Sequence, residues 1–321
     1  MIIADAVYGR EEITEAVLIE LVNSPTLQRL THISQLGMPE EYSDYPVFSR
    51  FEHSLGVLIL LRRLGAGLHE QTAGLIHDVS HTAFSHLVDW IIGDPTQENH
   101  QDNTFLEVLY ASEIPRILKT HSIDVQDVED IDSFSLLEQP APRLCADRVD
   151  YTLRQLAHMG VDVDSMVSDL TTHESRIVFR TQESAELFGR HYMTLQKEHW
   201  SGAREKAKWH LLSGALKRAM QRGLLTEKDF LRTDEELLTV LRASNDEFIQ
   251  RNLELLRNDF SLELGEAGEV LLTSKFRYVD PEYIENNTLV ALSTRSESYA
   301  DLLEKAKKRA DEKVYTTIRP L

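Results

Sequence analysis

Histidine and aspartate residues are concentrated in one part of this sequence. The chain contains thirteen histidines, and six of these lie between residues 53 and 100, namely His53, His69, His77, His81, His86 and His100. His77 and Asp78 are adjacent and directly follow an apolar segment. An imidazole beside a carboxylate offers nitrogen and oxygen ligands, which suit Mn, Fe, Co, Ni or Zn better than Ca. This stretch therefore predicts a site for one divalent transition metal, with Mg as the alternative ion.

A second group of reactive side chains is predicted on a helix later in the chain. Asp147, Tyr151 and Arg154 are spaced i, i+4 and i+7, so they share one helical face. A carboxylate, a phenol and a guanidinium on one face suit a site that binds both a metal and a phosphate. Any one of these residues alone would more often be an ordinary core or surface residue, so the prediction depends on their combination.

The segments that must position these side chains are predicted to be helices. His53 lies at the start of a predicted helix over residues 52–64, and His77 ends the next one, over residues 70–77. Antiparallel packing of these two helices would bring both imidazoles together. Further helices are predicted over residues 12–23, 25–36, 83–92, 103–110, 143–158 and 184–220.

The last third of the chain has a different pattern. Three strands and one helix are predicted there, over residues 274–279, 289–293, 314–318 and 295–311 respectively. Before them, Thr233 and Ser244 each begin a capping box that opens a further helix. The sequence therefore predicts a mainly α fold, with a helical domain over residues 1–220 and a smaller α+β subdomain over residues 221–321.

Composition limits the classes of partner. The formal net charge is −19, from 34 basic and 53 acidic residues, so a surface for long nucleic acid is not expected. No run of about 18 apolar residues is present, which argues against a membrane span. The N-terminus has no long apolar segment of the secretory type. The one cysteine, Cys145, cannot form an internal disulfide, and these features together predict a cytoplasmic protein.

Several segments of the chain, taken in order, resemble the HD-domain metal-dependent phosphohydrolases. Four of them carry the histidines and aspartates: Arg50-Phe-Glu-His-Ser-Leu-Gly56, Ala73-Gly-Leu-Ile-His-Asp78, His81-Thr-Ala-Phe-Ser-His86 and Asp147-Arg-Val-Asp-Tyr151. Three earlier segments are similar to the deoxynucleoside triphosphate triphosphohydrolase branch: Asp5-Ala-Val-Tyr-Gly9, Ser24-Pro-Thr-Leu-Gln-Arg-Leu30 and Gln35-Leu-Gly37. The resemblance covers residues 1–220 and implies an HD-domain helical core.

The resemblance also implies roles for individual residues. The ligands of one metal would be His53, His77, Asp78 and Asp147. The residues acting on the reacting phosphate, the attacking water or the leaving oxygen would be His81, His86 and a proton-donating pair of His100 with Asp89. The residues binding substrate would be Arg50, Arg148 and Tyr151 at phosphate oxygens, and Gln35 at a sugar hydroxyl.

The sequence departs from this branch near the predicted substrate pocket. Ser80 and Ala83 stand where the branch usually has glycine and proline. The segment over residues 195–201, LQKEHWS, lacks the tyrosine that the branch uses to stack on a base. Trp200 in this segment would either stack on a base or pack in the core or an interface.

Three functions are consistent with this sequence. The leading hypothesis is a triphosphohydrolase that releases inorganic triphosphate from a (deoxy)nucleoside triphosphate. The second is a phosphomonoesterase or phosphodiesterase that uses the same metal site on a smaller or cyclic nucleotide. The third is a nucleotide-binding regulator with weak catalysis. The resemblance further implies a homo-oligomer, either a dimer or a larger assembly.

Overall fold

The helices of the chain make up most of the structure. The computed structural model describes residues 1–265, 268, 270–272, 275–310 and 314–320. The helices are α1 (Ala16–Val22), α2 (Pro25–Arg29), α3 (Arg50–Arg63), α4 (Leu68–Ile76), α5 (His100–Ala111), α6 (Ile114–Thr120), α7 (Ala146–His158), α8 (Asp164–Asp169), α9 (Gln182–Leu195), α10 (Ala203–Gln221), α11 (Asp234–Ala243), α12 (Glu247–Arg257) and α13 (Glu297–Ala310). None of the helices in this described part combines the length and apolar character needed to cross a membrane. The predicted mainly α fold is confirmed.

Short strands form three separate sheets. They are β1 (Ile2–Asp5), β2 (Gly9–Glu12), β3 (Leu170–His173), β4 (Arg176–Phe179), β5 (Phe260–Gly265), β6 (Val270–Leu272), β7 (Glu282–Glu285), β8 (Thr288–Ala291) and β9 (Val314–Pro320). β1 and β2 form an N-terminal hairpin, and β5, β9 and β6 form an antiparallel sheet in that order. The third sheet has the order β3-β4-β7-β8, with β4 and β7 parallel. Two strands of this sheet, β3 and β4, precede residue 221, and the other two, β7 and β8, follow it. The predicted division into two domains at residue 221 therefore stays a prediction.

The two predicted helices that carry the histidines are confirmed, with ends shifted by one or two residues. α3 begins with a complete capping box, in which the Ser49 hydroxyl accepts the Glu52 N–H and the Glu52 carboxylate accepts the Ser49 N–H. α3 is buried over most of its length and packs against both α4 and α7. The first turns of α3 and α7 and the C-terminus of α4 meet at one place, as antiparallel packing requires.

Several predicted elements take another form. The predicted helix over 25–36 ends early, because α2 stops at Arg29 and gives way to one 3₁₀ turn. The predicted helix over 83–92 is a 3₁₀ helix at Ser85–Trp90. The first predicted helix, over residues 12–23, begins only at Ala16 because its first residue pairs in β2. The prediction that Ser244 caps a helix is wrong: it ends α11, while Asp246 caps α12 with its carboxylate.

The predicted C-terminal elements agree in part with the structure. The predicted strand at 314–318 lies within β9, and the predicted helix at 295–311 is α13, apart from residue 311, which lies outside the described residues. The strand predicted at 289–293 is β8 followed by a 3₁₀ turn. The strand predicted at 274–279 is wrong for residues 275–279, which belong to no strand; residue 274 is outside the described part.

One buried aspartate of α11 holds together two loops that are far apart in sequence. The Asp234 carboxylate accepts the Ser34 N–H at 2.8 Å and the Phe84 N–H at 2.7 Å. Phe84 and Ser85 both have positive φ, of 61° and 49°, a conformation that costs energy in residues other than glycine. Gly37 fits here because a Cβ at its position would lie 2.4 Å from the Phe84 carbonyl oxygen. These contacts fix the loop that follows His77 and Asp78.

We expect Asp234→Ala to reduce the free energy of unfolding by about 2–4 kcal/mol, because two buried N–H groups lose their acceptor. Burial, partly offset by the two N–H donors and by Arg50 and Arg29, raises the pKa of Asp234 to about 6. A raised pKa stabilises the folded state at low pH, and this contribution is lost as the pH rises through 6. The loss in the variant should therefore be about 1.4 kcal/mol larger at pH 5 than at pH 7.5.

Urea denaturation of the wild type and the variant at both pH values measures this difference. The control is Glu235→Ala, which removes an exposed acid from the same helix and should change stability by less than about 0.5 kcal/mol at either pH. An equal loss at pH 5 and pH 7.5 would contradict the assignment of the raised pKa to Asp234.

Candidate metal centre and substrate cleft

Three of the predicted ligands form a compact cluster at the meeting point of α3, α4 and α7. His53 Nε2 lies 2.8 Å from Asp147 Oδ1, and His77 Nε2 lies 3.6 Å from the same oxygen. The three donor atoms all lie within 4.8 Å of one another. Two imidazoles and a carboxylate at this separation can close around one ion, and we call these residues the metal cluster.

Asp78 lies at the edge of the metal cluster. Its Oδ1 is 3.4 Å from His77 Nε2, and its Oδ2 is 3.9 Å from His53 Nε2. Arg50 donates from Nη1 to Asp78 Oδ2 at 2.7 Å, and this ion pair is almost fully buried. Burial would raise the pKa of Asp78, but the charges of Arg50, His77 and His81 hold it well below its usual range. Asp78 is thus ionised and near enough to be the predicted fourth ligand, and that role stays a prediction.

The donor chemistry of the histidines fits a metal. His77 Nδ1 lies 2.8 Å from the Gly74 carbonyl oxygen, which fixes Nδ1 as the protonated nitrogen. His77 Nε2 therefore presents its lone pair to the cluster, and it is buried without a hydrogen-bond partner. A buried imidazole nitrogen in this state is what a metal ligand requires. The residues present fit one divalent transition metal.

A buried acid sets the orientation of His53. Asp150 Oδ2 lies 2.7 Å from His53 Nδ1, which leaves Nε2 directed at Asp147. Arg154 donates to both oxygens of Asp150, at 3.0 and 2.9 Å, and also pairs with Asp5 at 2.9 Å. Burial alone lowers the pKa of His53, but Asp147 and Asp150 raise it to about 9. An imidazole fixed by a carboxylate in this way is typical of metal-binding histidines.

This arrangement corrects one expectation. Arg154 was expected to face phosphate beside Asp147 and Tyr151. It is instead 1% exposed and bound to Asp150 and Asp5. Arg154 lies on the same face as Asp147 but about 10 Å further along the helix axis, where α7 is buried.

Two of the predicted proton-transfer residues, His81 and His86, lie close to the metal cluster. His81 Nε2 lies 3.2 Å from Asp78 Oδ1, and burial followed by the charge of Arg50 lowers the pKa of His81 well below its usual value. The His86 and His81 rings are in edge contact, with centroids 5.0 Å apart. Asp89 was expected to pair with the imidazole of His100, but it accepts the backbone N–H of His100 at 3.1 Å.

The imidazole that faces Asp89 is that of His86. His86 Nδ1 lies 3.9 Å from Asp89 Oδ2, and both atoms are buried without a hydrogen-bond partner. His86 lines the cleft next to the metal cluster, whereas Asp89 is buried behind it. Asp89 thus lies beside the His86 imidazole and the His100 backbone, and the proton-donating pair of His100 with Asp89 stays a prediction.

A wide cleft of about 1000 Å³ opens in front of the metal cluster. The predicted substrate-binding residues all line it: Gln35, Arg50, Arg148 and Tyr151. Arg148 is less free than expected, because it donates to the Gln139 and Arg143 carbonyl oxygens and so holds the loop before α7. Its predicted contact with phosphate stays a prediction.

A smaller side chamber of about 100 Å³ adjoins the cleft. Gln35, Tyr151 and Arg277 line both spaces, so they are neighbours. Aromatic rings form much of the chamber wall: Phe48, Tyr151, Trp200 and Trp209. Tyr151 and Trp200 are in edge contact at 5.2 Å, and the Tyr151 hydroxyl lies 2.9 Å from the hydroxyl of buried Tyr192.

Comparison with known proteins agrees with this geometry. The HD domain matches residues 50–151. The metal-dependent phosphohydrolase cns2 of Cordyceps militaris is 33% identical, over 88% of this chain and 84% of its own. The chain belongs to the HD-domain metal-dependent phosphohydrolases. An uncharacterized Bacillus subtilis protein, YdhJ, is 34% identical over 99% of both chains.

Other members of the superfamily match less closely. A phosphohydrolase structure from Bacteroides thetaiotaomicron has a TM-score of 0.74, covers 100% of this chain and 99% of its own, and is 20% identical, which shows the shared fold. The deoxynucleoside triphosphate triphosphohydrolase SAMHD1 of Xenopus laevis is 37% identical over 102 residues, which are 26% of this chain and 16% of its own. The match to this triphosphohydrolase therefore covers only about a quarter of the chain.

Four residues of this HD-domain phosphohydrolase that position the site were not assigned from the sequence. Arg29 donates to the carbonyl oxygens of Val79 and His81, both at 2.8 Å, and so holds the turn after the metal ligands. The other three are Asp5, Asp150 and Arg277. Three of the four, Asp5, Arg29 and Asp150, lie inside the segments that resemble the family. The resemblance therefore pointed to these residues, but the sequence alone does not indicate which residues they contact.

Proposed function

We propose that this phosphohydrolase acts on a monophosphate ester, or a cyclic phosphodiester, of a small nucleotide, rather than on a triphosphate. The observation that carries this proposal is the charge of the cleft. Among the described residues that line it, eight are acidic: Asp78, Glu98, Asp102, Glu129, Asp130, Asp132, Glu138 and Asp147. Four are basic: Arg50, Arg148, Lys275 and Arg277. Burial raises the pKa of Glu138 to about 7, and a bound divalent metal would add two positive charges to the four bases. The acids still exceed the cations, so a substrate with about four negative charges would meet a repulsive surface.

Three of these four bases are already engaged. Arg50 is paired with Asp78 and Arg277 with Glu98. Arg148 lies 3.5 Å from Glu138 and also donates to loop carbonyl oxygens. Burial would raise the pKa of Glu98, but Arg277, His86 and Lys206 lower it to about 2, so it is ionised. A triphosphate clamp needs cations whose charge is not already matched. A single phosphate can be neutralised largely at the metal cluster.

The chemistry of the proposed reaction follows from the arrangement of the side chains. His53, His77 and Asp147, with Asp78, would hold a metal, which would supply polarisation of the phosphoryl oxygen and activation of water near neutral pH. Arg50 keeps Asp78 ionised and fixed, and Asp150 holds His53 in the tautomer that ligates. His86, supported by Asp89, is placed to hold the proton that the leaving oxygen needs.

A nucleotide panel tests this proposal. Protein loaded with Mn²⁺ is incubated with nucleoside mono-, di- and triphosphates, cyclic nucleotides and p-nitrophenyl phosphate, and the products are identified by mass. We expect orthophosphate from monophosphates, or ring opening of a cyclic nucleotide. Release of inorganic triphosphate as the main reaction would instead establish the triphosphohydrolase hypothesis. Tight nucleotide binding with no turnover would establish the regulator.

Two histidine variants make the panel specific to the site. His77→Ala removes a member of the metal cluster and should abolish turnover of every substrate. His69→Ala removes an exposed histidine from α4 and should leave turnover unchanged. Equal activity of both variants would show that the observed hydrolysis does not depend on the metal cluster.

A further inference from the structure

A buried lysine and a buried glutamate of the side chamber are separated by a small gap. Lys206 is 3% exposed and Glu98 is 1% exposed, and both line the chamber. Lys206 Nζ lies 4.0 Å from Glu98 Oε1, which is too far for a hydrogen bond. Glu98 Oε1 has no hydrogen-bond partner among the described residues, and Lys206 Nζ makes no hydrogen bond to them either. A donor and an acceptor thus lie unpaired on opposite sides of one small space.

The other neighbours of this pair leave the gap open. The Lys206 ammonium lies over the rings of Trp209 and Trp90, at 4.1 and 5.7 Å from their centroids. Such cation–π contacts stabilise the charge but offer no lone pair to its N–H groups. Arg277 binds the other carboxylate oxygen of Glu98, Oε2. The hydrogen-bonding capacity of Lys206 Nζ and Glu98 Oε1 is therefore still available to a ligand.

Both groups are charged and held in place. Burial lowers the pKa of Lys206 to about 8, against the charge of Glu98, so the amine is mostly protonated at neutral pH. Glu98 is ionised, as noted above, and has a positive φ of 49°. This conformation costs energy in residues other than glycine and persists only where the surrounding structure fixes it. Leaving two such buried groups unpaired is costly, which indicates a bound group that completes their hydrogen bonds.

The two groups together define the chemistry of the bound atom. An ammonium has only donors, and an ionised carboxylate has only acceptors. An anion would be attracted by Lys206 but repelled by Glu98, and a cation would meet the opposite forces. A hydroxyl oxygen accepts from one group and donates to the other, and an oxygen about 2.8 Å from each fits a gap of 4.0 Å. The gap therefore matches a hydroxyl group.

The position of the gap connects it to the cleft. Glu98 lines both the cleft and the chamber, as do Arg50 and His86 beside the metal cluster. In a nucleotide the sugar is bonded directly to the phosphate, so a phosphate at the metal cluster would place the sugar at the mouth of the chamber. Aromatic rings of the chamber wall, including Tyr151 and Trp200, offer an apolar surface for the C–H face of a sugar.

We propose that Lys206 and Glu98 bind one hydroxyl of the substrate's ribose, and that this contact makes the enzyme select the ribonucleotide over the analogue that lacks this hydroxyl. The inference rests on the proposed function, because the ribose belongs to the nucleotide in the cleft. Lys206 and Glu98 contact the substrate away from the reacting phosphate, so they determine specificity and not the chemical step.

Calorimetry with free nucleosides tests the inference without requiring turnover. Adenosine is compared with its 2′-, 3′- and 5′-deoxy analogues, each of which lacks one ribose hydroxyl. We expect one analogue to bind at least about tenfold more weakly than adenosine, since a site that hydrogen-bonds a hydroxyl rejects the analogue without it. In Lys206→Met, which keeps the apolar stem but removes the ammonium, adenosine should bind nearly as weakly as that analogue, with a ratio below about threefold. Lys217→Met, at an exposed position of the same helix, α10, should keep the wild-type ratio.

Three results would overturn the inference. Equal binding of adenosine and all three analogues by the wild type would mean that only a water molecule fills the gap. Absence of adenosine binding at millimolar concentration, or an unchanged ratio in Lys206→Met, would exclude the contact as well. Should Lys206→Met fail to fold, Glu98→Gln replaces it, because it keeps the shape but loses the charged acceptor; the ratio should then fall by at least about threefold, and an unchanged ratio would contradict the inference.

Two combinations of results separate this inference from the proposed function. If p-nitrophenyl phosphate is hydrolysed but the wild type binds adenosine and its analogues equally, the inference is wrong and the proposed function stands. If no phosphate ester is hydrolysed but the hydroxyl preference is present and depends on Lys206, the proposed function is wrong and the hydroxyl site stands.

Discussion

Replacing Gly56 with alanine is expected to lower the free energy of unfolding by at least about 4 kcal/mol, through overpacking and the disruption of a buried ion pair. A Cβ at Gly56 would lie 1.9 Å from Arg154 Nη2 and 2.0 Å from Asp150 Oδ1. Both partners are almost fully buried, at 1% and 0% exposure, and cannot move into solvent. The variant must therefore separate α3 from α7 or break the pair.

The same substitution should also reduce metal binding, because Asp150 orients His53. Chemical denaturation measures the stability, and metal content after gel filtration measures the second effect. Gly67→Ala is the matched control, since a Cβ there meets no atom within 4 Å; at this helix N-cap it should cost about 1 kcal/mol or less. If Gly56→Ala were as stable as this control, α3 and α7 would be able to separate without a loss of stability, which would contradict the prediction.

Asp147→Asn is expected to lower metal affinity by at least about 100-fold. This is more than the roughly 10- to 100-fold loss that is usual when a residue that only supports a metal ligand is replaced. Asp147 Oδ1 is the one carboxylate oxygen of the metal cluster and lies near both imidazoles. An amide keeps the volume but removes the negative charge and offers a weaker ligand. Turnover should fall at least as far at low metal concentration, and recover only in part at high concentration.

Metal content by mass spectrometry and rates across a Mn²⁺ titration measure this loss. Asp164→Asn is the matched control, because Asp164 is an exposed aspartate in the first turn of another helix, α8. It should bind metal and turn over substrate like the wild type. Retention of a full equivalent of metal by Asp147→Asn would exclude Asp147 as a ligand.

The helices that carry the metal cluster could be predicted because their signals are local. The capping box at Ser49 and the apolar stretch of α3 lie within a few residues of each other. The same local signal was misleading at Ser244, where a serine and a glutamate at the right spacing compete with Asp246, which caps α12 directly. A strong neighbouring acceptor thus decides which of two candidate caps is used.

The arrangements that could not be predicted join residues far apart in the chain. Asp234 binds the backbone of Ser34, and Arg154 binds Asp5. Sequence spacing carries no information about such pairs, since they depend on how complete helices pack. The segment around Arg277 was predicted as a strand because alternating apolar residues are common to strands and to extended loops. In the structure this loop brings Arg277 into the cleft, where it meets Glu98.

The excess of acids along the cleft also governs how molecules arrive there. Eight acidic side chains against four basic ones around one opening leave a negative potential that extends roughly 8 Å into a solution of physiological salt. Divalent cations are drawn towards such an opening, and their association rate rises as ionic strength falls. Polyanions experience the opposite force. Under the proposed function, a triphosphate would be repelled more strongly than a monophosphate as it approaches the cleft, because the repulsion grows with the charge of the ligand.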